Sequence, residues 1–573
     1  MYGGSAPSFS TRMTARVGKT TRVPGVPRIH LVSNLPGVNA LGDHLRAAGL
    51  GPTSARSADA LLVLIDRPLD HVEQELLDRA RQSVPVLLAG PTVRALPADS
   101  PLVEASGLIP GRATPPYELR LQAGPQGGAI MARSGDFRPR ESWVIPEKVA
   151  DDVERLLLIR HEMGDHPVCT WRPATGLGMF TLGTGAGVLG DAAYHRLVGR
   201  WLRHCLGVHD GPPVGVGLLG TPDTTTAHQA GLDATEGLEL TALCDGGPGR
   251  APAHAAGRLP RRVEDPDDLV NDPELGVVVV ATPTHTHLEW AGRALEAGKH
   301  VVVQAPLCLA TPDADQLAEL AAERSLLLAV YPEGRADAGY RALHAAVGRG
   351  AIGEPLRLDV HRGGLRRPVG TWRDDERISG GQLYDRGAAG VEQVLALVDE
   401  PVEWVIASEL KRVWYHVSNA DHSRLLLRFA NGAQAQVTVS DLAVAARPSL
   451  EVLGSEGTLI LDDALAAANL EPLDDGPAVT GRHAGRRAAP AGDASGPASL
   501  LLATHDGVRT RYPLPTSGPG RDGTGAFYRD LADSLVSGWP LVGYGVEAAR
   551  QVVAVLEAAA RSVAAGGAQV VPL

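Results

Sequence analysis

Cysteine, lysine and long apolar runs are the scarce features of this 573-residue chain, and each scarcity removes a class of protein. The four cysteines, Cys169, Cys205, Cys244 and Cys308, stand far apart with no C-x-x-C pair. That argues against a zinc site or a disulfide framework and fits a reducing cytoplasm. No apolar run reaches the roughly 18 residues of a membrane span, so no membrane partner is expected. Lysine is confined to Lys19, Lys148, Lys299 and Lys411, and arginine carries nearly all the positive charge. With a net charge of −12 and no long basic tract, the chain has nothing to grip a phosphate backbone, so nucleic acid is excluded as a partner. The opening, MYGGSAPSFSTRMTARVGKTTRVPGVP, lacks an apolar core. It reads as a disordered leader over residues 1–27 rather than a secretory signal, with Met13 as a second candidate start.

What is present is an alternation of apolar runs and helical patterns, too long for one hydrophobic core. RIHLV (28–32), ADALLVLID (58–66) and VPVLLAG (84–90) read as strands. VNALGDHLRAAG (38–49) and HVEQELLDRARQ (71–82) read as the helices between them. This predicts a flavodoxin-like α/β domain over 28–210. It closes with a hairpin in 167–185 and a helix over 191–207. Gly and Pro at about 208–213 mark a linker. A second α/β series then begins with VGLLG (216–220), LELTALCD (238–245), LGVVVVATP (275–283), HVVVQAP (300–306) and LLLAVYP (326–332), with helices over 287–298 and 312–324. This predicts a Rossmann nucleotide-binding domain over 214–335. Strand-like segments dominate beyond 350, predicting a domain over 336–573 with a large open, mostly antiparallel sheet. Its Ala/Gly/Pro-rich stretch 474–499 reads as a mobile loop, and its helix at about 545–565 is expected to pack back on the Rossmann half.

Four segments, taken in order, resemble the Gfo/Idh/MocA oxidoreductase family: VGLLG with Asp245 ending the next strand, VVVVATPTHTHLEWAGRALEAGKHV, SGGQLYDRGAAGVEQ, and LEVLGSEGTLILDD. The terminal WPLVGYGVEAARQVVAVLEAAARS is similar to the family's closing helix. The resemblance covers about 212–573. It implies an NAD(P) cofactor, contacted by Gly220, Thr221, Thr224, Thr225, Asp245, Thr282, Pro283, His287, Gln304 and Pro306. The family's first turn carries G-x-G-x-x-G, whose glycines let a pyrophosphate approach the helix N-terminus. Anchored on His228, those positions fall on Gly220, Pro222 and Thr225, so only the first is kept. The hydroxyls of Thr221, Thr224 and Thr226 can serve either as phosphate contacts or as helix caps. Asp245 stands where a carboxylate would hold ribose hydroxyls, which suits NAD better than NADP; it reads equally well as a turn aspartate.

The chemistry positions depart as well. Where the family places a lysine in Glu-Lys-Pro, this chain has Gln304, Ala305 and Pro306; where it places a histidine after Asp-x-Gly, this chain has Asp385, Gly387 and Ala389, with Glu392 beyond. Hydride transfer needs a proton partner near the reacting oxygen, and both usual carriers are gone. Three classes therefore stay open. The first is a divergent NAD(P)-dependent oxidoreductase that recruits Asp385, Tyr384, His361, His285 or His287, with Asp385 favoured because its family position faces the cofactor cleft. The others are a non-redox enzyme on the same fold and a cofactor-free pseudoenzyme or binding scaffold. The substrate implied is a small polyhydroxylated or specialised metabolite. The Ala/Gly/Arg-rich, lysine-poor composition suggests a GC-rich bacterial genome.

The first domain is similar, in its PVCTWRPATGLGMFTLGTG ending and following helix, to ThuA-like domains of class I amidotransferase-like architecture. An amidotransferase needs a cysteine on a tight turn after a central strand. VPVLLAG runs into PTVRA with none, so glutamine hydrolysis is not expected, and the domain reads as a packing or substrate-covering partner. His285 and His287 form an H-x-H pair that on a strand end would point one way, but the resemblance assigns the second to a helix start, so no metal is expected. Alternating apolar residues in 350–465 suggest a homodimer or higher oligomer through the open sheet, unless the first domain covers it.

Overall fold

The computed structural model describes residues 28–35, 41–42, 45, 58–97, 99–131, 137–161, 164–189, 191–208, 212–246, 259–443, 447–462, 499–514, 523–537, 541, 544–567 and 571–572. The leader, most of the helix expected over 38–49, the core of the 208–213 linker and nearly all of the 474–499 stretch lie outside these residues. The chain forms two compact units, one over 1–127 and 138–208, the other chiefly over 209–573.

The first unit is built on a seven-stranded sheet of β1 (Ile29–Ser33), β2 (Ala60–Leu64), β3 (Val86–Ala89), β4 (Leu121–Ala123), β5 (Glu154–His161), β6 (Gly164–Arg172) and β7 (Leu177–Phe180), ordered β1-β2-β3-β7-β6-β5-β4. The first four neighbours in that order run parallel; the inner three are buried on both faces, as central parallel strands are, while the edge strand β1 is only partly covered. Helix α1 (His71–Ala80) starts on a capping box, with Asp70 accepting the Glu73 N–H and Glu73 accepting the Asp70 N–H. Helix α2 (Ala192–Cys205) seats Tyr194 and Trp201 against Phe180.

In the second unit a parallel sheet of β8 (Val214–Gly220), β9 (Leu238–Cys244), β10 (Arg261–Arg262), β11 (Val277–Ala281), β12 (His300–Gln304) and β13 (Leu328–Tyr331) takes the order β10-β9-β8-β11-β12-β13. This is the doubly wound Rossmann arrangement, whose strand order reverses between β8 and β11 and opens a crevice at their carboxyl ends. Around it lie α3 (Pro222–Asp233), α4 (His287–Glu296) and α5 (Thr311–Glu323). The buried Nζ of Lys299 donates to the carbonyls of Asp272 and Leu275, tying the start of β12 to the turn before β11.

The chain continues through α6 (Ala338–Gly348), β14 (Pro355–Gly363), α7 (Ala388–Leu397), β15 (Val402–Leu410), β16 (His422–Phe429), β17 (Gln434–Ser440), β18 (Leu450–Gly454), β19 (Gly457–Asp462), β20 (Ser499–Thr504), β21 (Arg509–Pro513), α8 (Gly523–Ser537), α9 (Val546–Ala564) and β22 (Val571–Pro572). Its nine strands form an open sheet, ordered β21-β20-β19-β18-β14-β17-β16-β15-β22; only β14 and β17 pair in parallel. One face packs Leu358, Val360, Val437, Val439 and Leu425 on Val391 and Val394 of α7 and Val555 of α9. Alternate apolar residues of these strands thus face this internal core, the positions between them carry Arg357, Asp359, His361, Arg424 and Gln436, and Leu356, Leu410 and Leu453 of the same sheet stay exposed. Helix α9 reaches back to the Rossmann half through Arg550–Asp315 and a Glu557 bond to Thr311.

Candidate functional site

The first βα turn shows how the rewritten fingerprint folds. A Cβ on Gly220 would lie 2.6 Å from the Ala281 carbonyl oxygen, so the closeness of β8 to β11 demands glycine here. Thr221 caps α3 and Pro222 occupies its first position, where a missing N–H is tolerated. The Thr224 hydroxyl accepts the Thr221 N–H at 3.0 Å and donates to the Ala281 carbonyl at 2.5 Å. Thr226 donates to the Pro222 carbonyl. Thr225, at the third glycine position, is fully buried and its hydroxyl has no hydrogen-bond partner. Thr221 and Thr224 form a capping box at the start of α3, whereas Thr226 bonds back to a carbonyl inside the helix.

Asp223 follows at the helix N-terminus, a position where a carboxylate is favoured by the helix dipole. Arg373 links it to Asp385: the guanidinium Nε lies 3.3 Å from Asp223, and Nη1 donates to Asp385 at 2.6 Å. The Trp372 ring lies beneath the same guanidinium at 4.4 Å. Burial works against the charge of Arg373, but Asp385, Asp223 and Glu333 outweigh it and hold its pKa above the usual value. Burial likewise opposes ionisation of Asp223, yet the Thr221 hydroxyl and Arg373 keep its carboxyl below the usual range. An ion-paired strut therefore crosses from the Rossmann turn to the segment that precedes α7.

Behind the turn runs a second chain of contacts. Buried His228 shares a 2.7 Å bond with the Tyr528 hydroxyl and a 2.6 Å bond with Gln304 Oε1, and Gln304 donates onward to Glu333. The amide oxygen accepts only, so Nε2 carries the proton and Nδ1 accepts from Tyr528. Gln304 thus braces α3 against the ends of β12 and β13. Next to it Ala305 sits at the carboxyl end of β12 and lines a cavity of about 200 Å³ with Arg335, Ala388, Glu392, Tyr544 and Ala549. Glu392 pairs with Arg335 at 2.9 Å; burial nonetheless raises its pKa. Ala389 packs its backbone against Gly334, whose missing side chain makes room for it.

The remaining candidates are scattered. Tyr384 spends its hydroxyl on the Leu309 carbonyl. His361 lies on the sheet face opposite α7, because Val360 beside it faces the core and side chains alternate along a strand. Both of its ring nitrogens are buried without partners. His285 and His287 do not point the same way: His285 is exposed in a 3-10 turn over Thr284–Thr286, and His287 is buried at the start of α4. The His287 nitrogens face the carbonyls of Thr282 and Pro306; burial lowers its pKa, so its single N–H serves one of them at a time. Thr282 accepts from the Thr286 hydroxyl. Pro283, Thr282, His287 and Pro306 therefore shape the ends of β11 and β12. Asp245 is nearly buried and paired with Arg262 at 2.5 Å. Among the described residues no cluster of metal-ligating side chains occurs. Arg373 and Asp223 escaped the sequence reading, since they lie 150 residues apart and no local pattern joins them.

In the first unit the turn after β3 places Gly90 at φ 56° and ψ −126°, a sharp strand-to-helix elbow of the kind on which hydrolases mount a nucleophile. A Cβ there would meet the Gly183 carbonyl oxygen at 2.5 Å. Glu141 holds that facing loop, accepting the N–H groups of Gly183 and Thr184 and the Thr184 hydroxyl.

Residues 214–331 match the NAD-binding Rossmann fold of the Gfo/Idh/MocA oxidoreductase family, and residues 340–460 match that family's C-terminal domain. Both matches fall in the second unit, within residues 214–460. An uncharacterized oxidoreductase of Schizosaccharomyces pombe is 31% identical over 30% of this chain and 48% of its own length. The myo-inositol 2-dehydrogenase of Thermotoga maritima is 30% identical over 35% of this chain and 60% of its own. The chain thus spans about half to three-fifths of the curated relatives it matches. The solved structure of Bacillus subtilis YvaA, 22% identical, superimposes with a TM-score of 0.50 over 63% of this chain and 99% of its own, showing the shared fold.

The match to an NAD-binding Rossmann fold implies a dinucleotide, and the first βα turn of this chain does not fit one. The Thr221 N–H goes to Thr224 and its hydroxyl to Asp223, the Thr224 hydroxyl donates to the Ala281 carbonyl, Pro222 offers no N–H, and Asp223 already sets a carboxylate at the helix N-terminus.

Proposed function

We propose that residues 212–573 bind a small polyhydroxylated metabolite, of the sugar or inositol kind, at the crevice where Asp385 and Arg373 meet the Rossmann edge. In this reading the chain is a divergent oxidoreductase-family member that has given up the usual proton carriers. The observation that carries it is the nearly buried Asp385 carboxylate, held by Arg373 at 2.6 Å, with alanines at 305 and 389. Vicinal hydroxyls suit such a pair, donating to a fixed carboxylate and accepting from a guanidinium whose five N–H donors lie in one plane. Asp385 acts as a binding and orienting group, and Arg373 holds it in place. The relative named for myo-inositol supports this substrate class.

Calorimetric titration of the full chain with myo-inositol, scyllo-inositol and a panel of hexoses tests the reading. At least one ligand is expected to bind, and Asp385→Asn to weaken it about tenfold, as loss of one charge-assisted bond implies. A panel without any binder, or an Asp385→Asn protein that binds like the parent, would count against it.

We further propose that the first unit is a ThuA-like, class I amidotransferase-like domain that does not hydrolyse glutamine. Its elbow residue is Gly90, which has no nucleophile. The four unpaired cysteines support a reducing, cytoplasmic setting for the whole chain.

A further inference from the structure

We infer that the Rossmann half has exchanged dinucleotide binding for a fixed ion-pair latch, in which Asp223, Arg373 and Asp385 close the phosphate turn. The inference concerns the cofactor alone and stands whether or not a polyol binds. A pyrophosphate on a helix N-terminus needs free N–H groups, a backbone it can approach and no competing anion. Here the Thr221 N–H is taken by Thr224, and Pro222 has none. Thr225 fills the close helix–strand contact with a buried side chain. Asp223 already supplies the negative charge that the helix dipole favours, and Arg373 locks it in place. Two carboxylates and one guanidinium leave the trio one unit negative, so an incoming dianion is repelled. At the effective dielectric of a protein edge, one uncompensated charge about 5 Å from a pyrophosphate weakens binding by roughly a hundredfold or more. At the ribose end, Asp245 is committed to Arg262.

The opposing possibility is that Arg373 leaves its aspartates and grips the phosphates itself. Titration of the full chain with NAD+, NADH, NADP+ and NADPH, followed by calorimetry and nicotinamide fluorescence, separates the two. The parent is expected to show no saturable binding up to about 1 mM. A Pro222→Gly/Asp223→Ala protein, altered at two exposed positions, should bind at least one dinucleotide with a Kd below about 0.1 mM. Asp223→Asn, which removes the charge without touching the backbone, should give a smaller gain and guards against misfolding of the double variant. Micromolar binding by the parent would overturn the inference, and so would parent binding that weakens in Arg373→Ala. A folded double variant with no gain would overturn the assignment of closure to this turn. A parallel inositol titration reports separately on the metabolite reading.

Discussion

His228 provides a quantitative test of how the second unit is held together. The imidazole is fully buried, and burial pushes its pKa down to about 4 even though the Gln304 contact favours the charged form. In the unfolded chain the same ring titrates near 6.5. Above that pH it is neutral in both states and stability does not depend on it. As pH falls below about 6.5 the unfolded chain takes up a proton that the fold refuses, so stability is lost steadily until about pH 4, where both states are protonated. For those two values the loss at pH 5 is about 2 kcal/mol relative to pH 7.5. The assay is urea unfolding by pulse proteolysis, reading fragments of the 212–573 half at pH 7.5 and pH 5.0, for the parent and for His228→Gln. The variant starts less stable, since it breaks the contact with Tyr528, but it should lose about 2 kcal/mol less than the parent on acidification. Parallel pH dependence in the two proteins would refute a neutral, buried His228 as the brace between α3 and β12.

Three further outcomes follow from named contacts. Thr225→Val should stabilise the Rossmann half by about 1 kcal/mol, because it removes a buried hydroxyl that has no partner at nearly constant volume; a lower urea midpoint would show that the hydroxyl is satisfied in solution. Gly90→Ala should cost the first unit more than about 2 kcal/mol, through both its positive φ and the clash with the Gly183 carbonyl, and an unchanged thermal transition would contradict the elbow. Glu141→Ala should cost about 2–4 kcal/mol, since two backbone N–H groups and the Thr184 hydroxyl lose their acceptor; differential scanning calorimetry of the full chain reads both first-unit variants.

The architecture was legible from pattern alone because parallel strands such as VVVVA at 277–281 are apolar on both faces and α4 repeats at helical spacing. Those signals are local, and these two elements formed where they pointed. That positions 305 and 389 carry alanine was also visible, since it is a matter of residue identity alone. Strand parity decided His361, and a 3-10 turn parted His285 from His287, neither of which a list of titratable residues can foresee.

The sequence by itself determined the two α/β series, the open sheet and the alanines at 305 and 389, because each is a property of residues read along the chain. Only the tertiary structure decided that Arg373 would join Asp223 to Asp385, that Gln304 would spend its amide on His228 and Glu333, and that Tyr384 would turn to Leu309. The physical reason is that ion pairs and hydrogen bonds depend on distances of a few ångströms between groups far apart in sequence. Those distances exist only after the sheet edges and helices have packed.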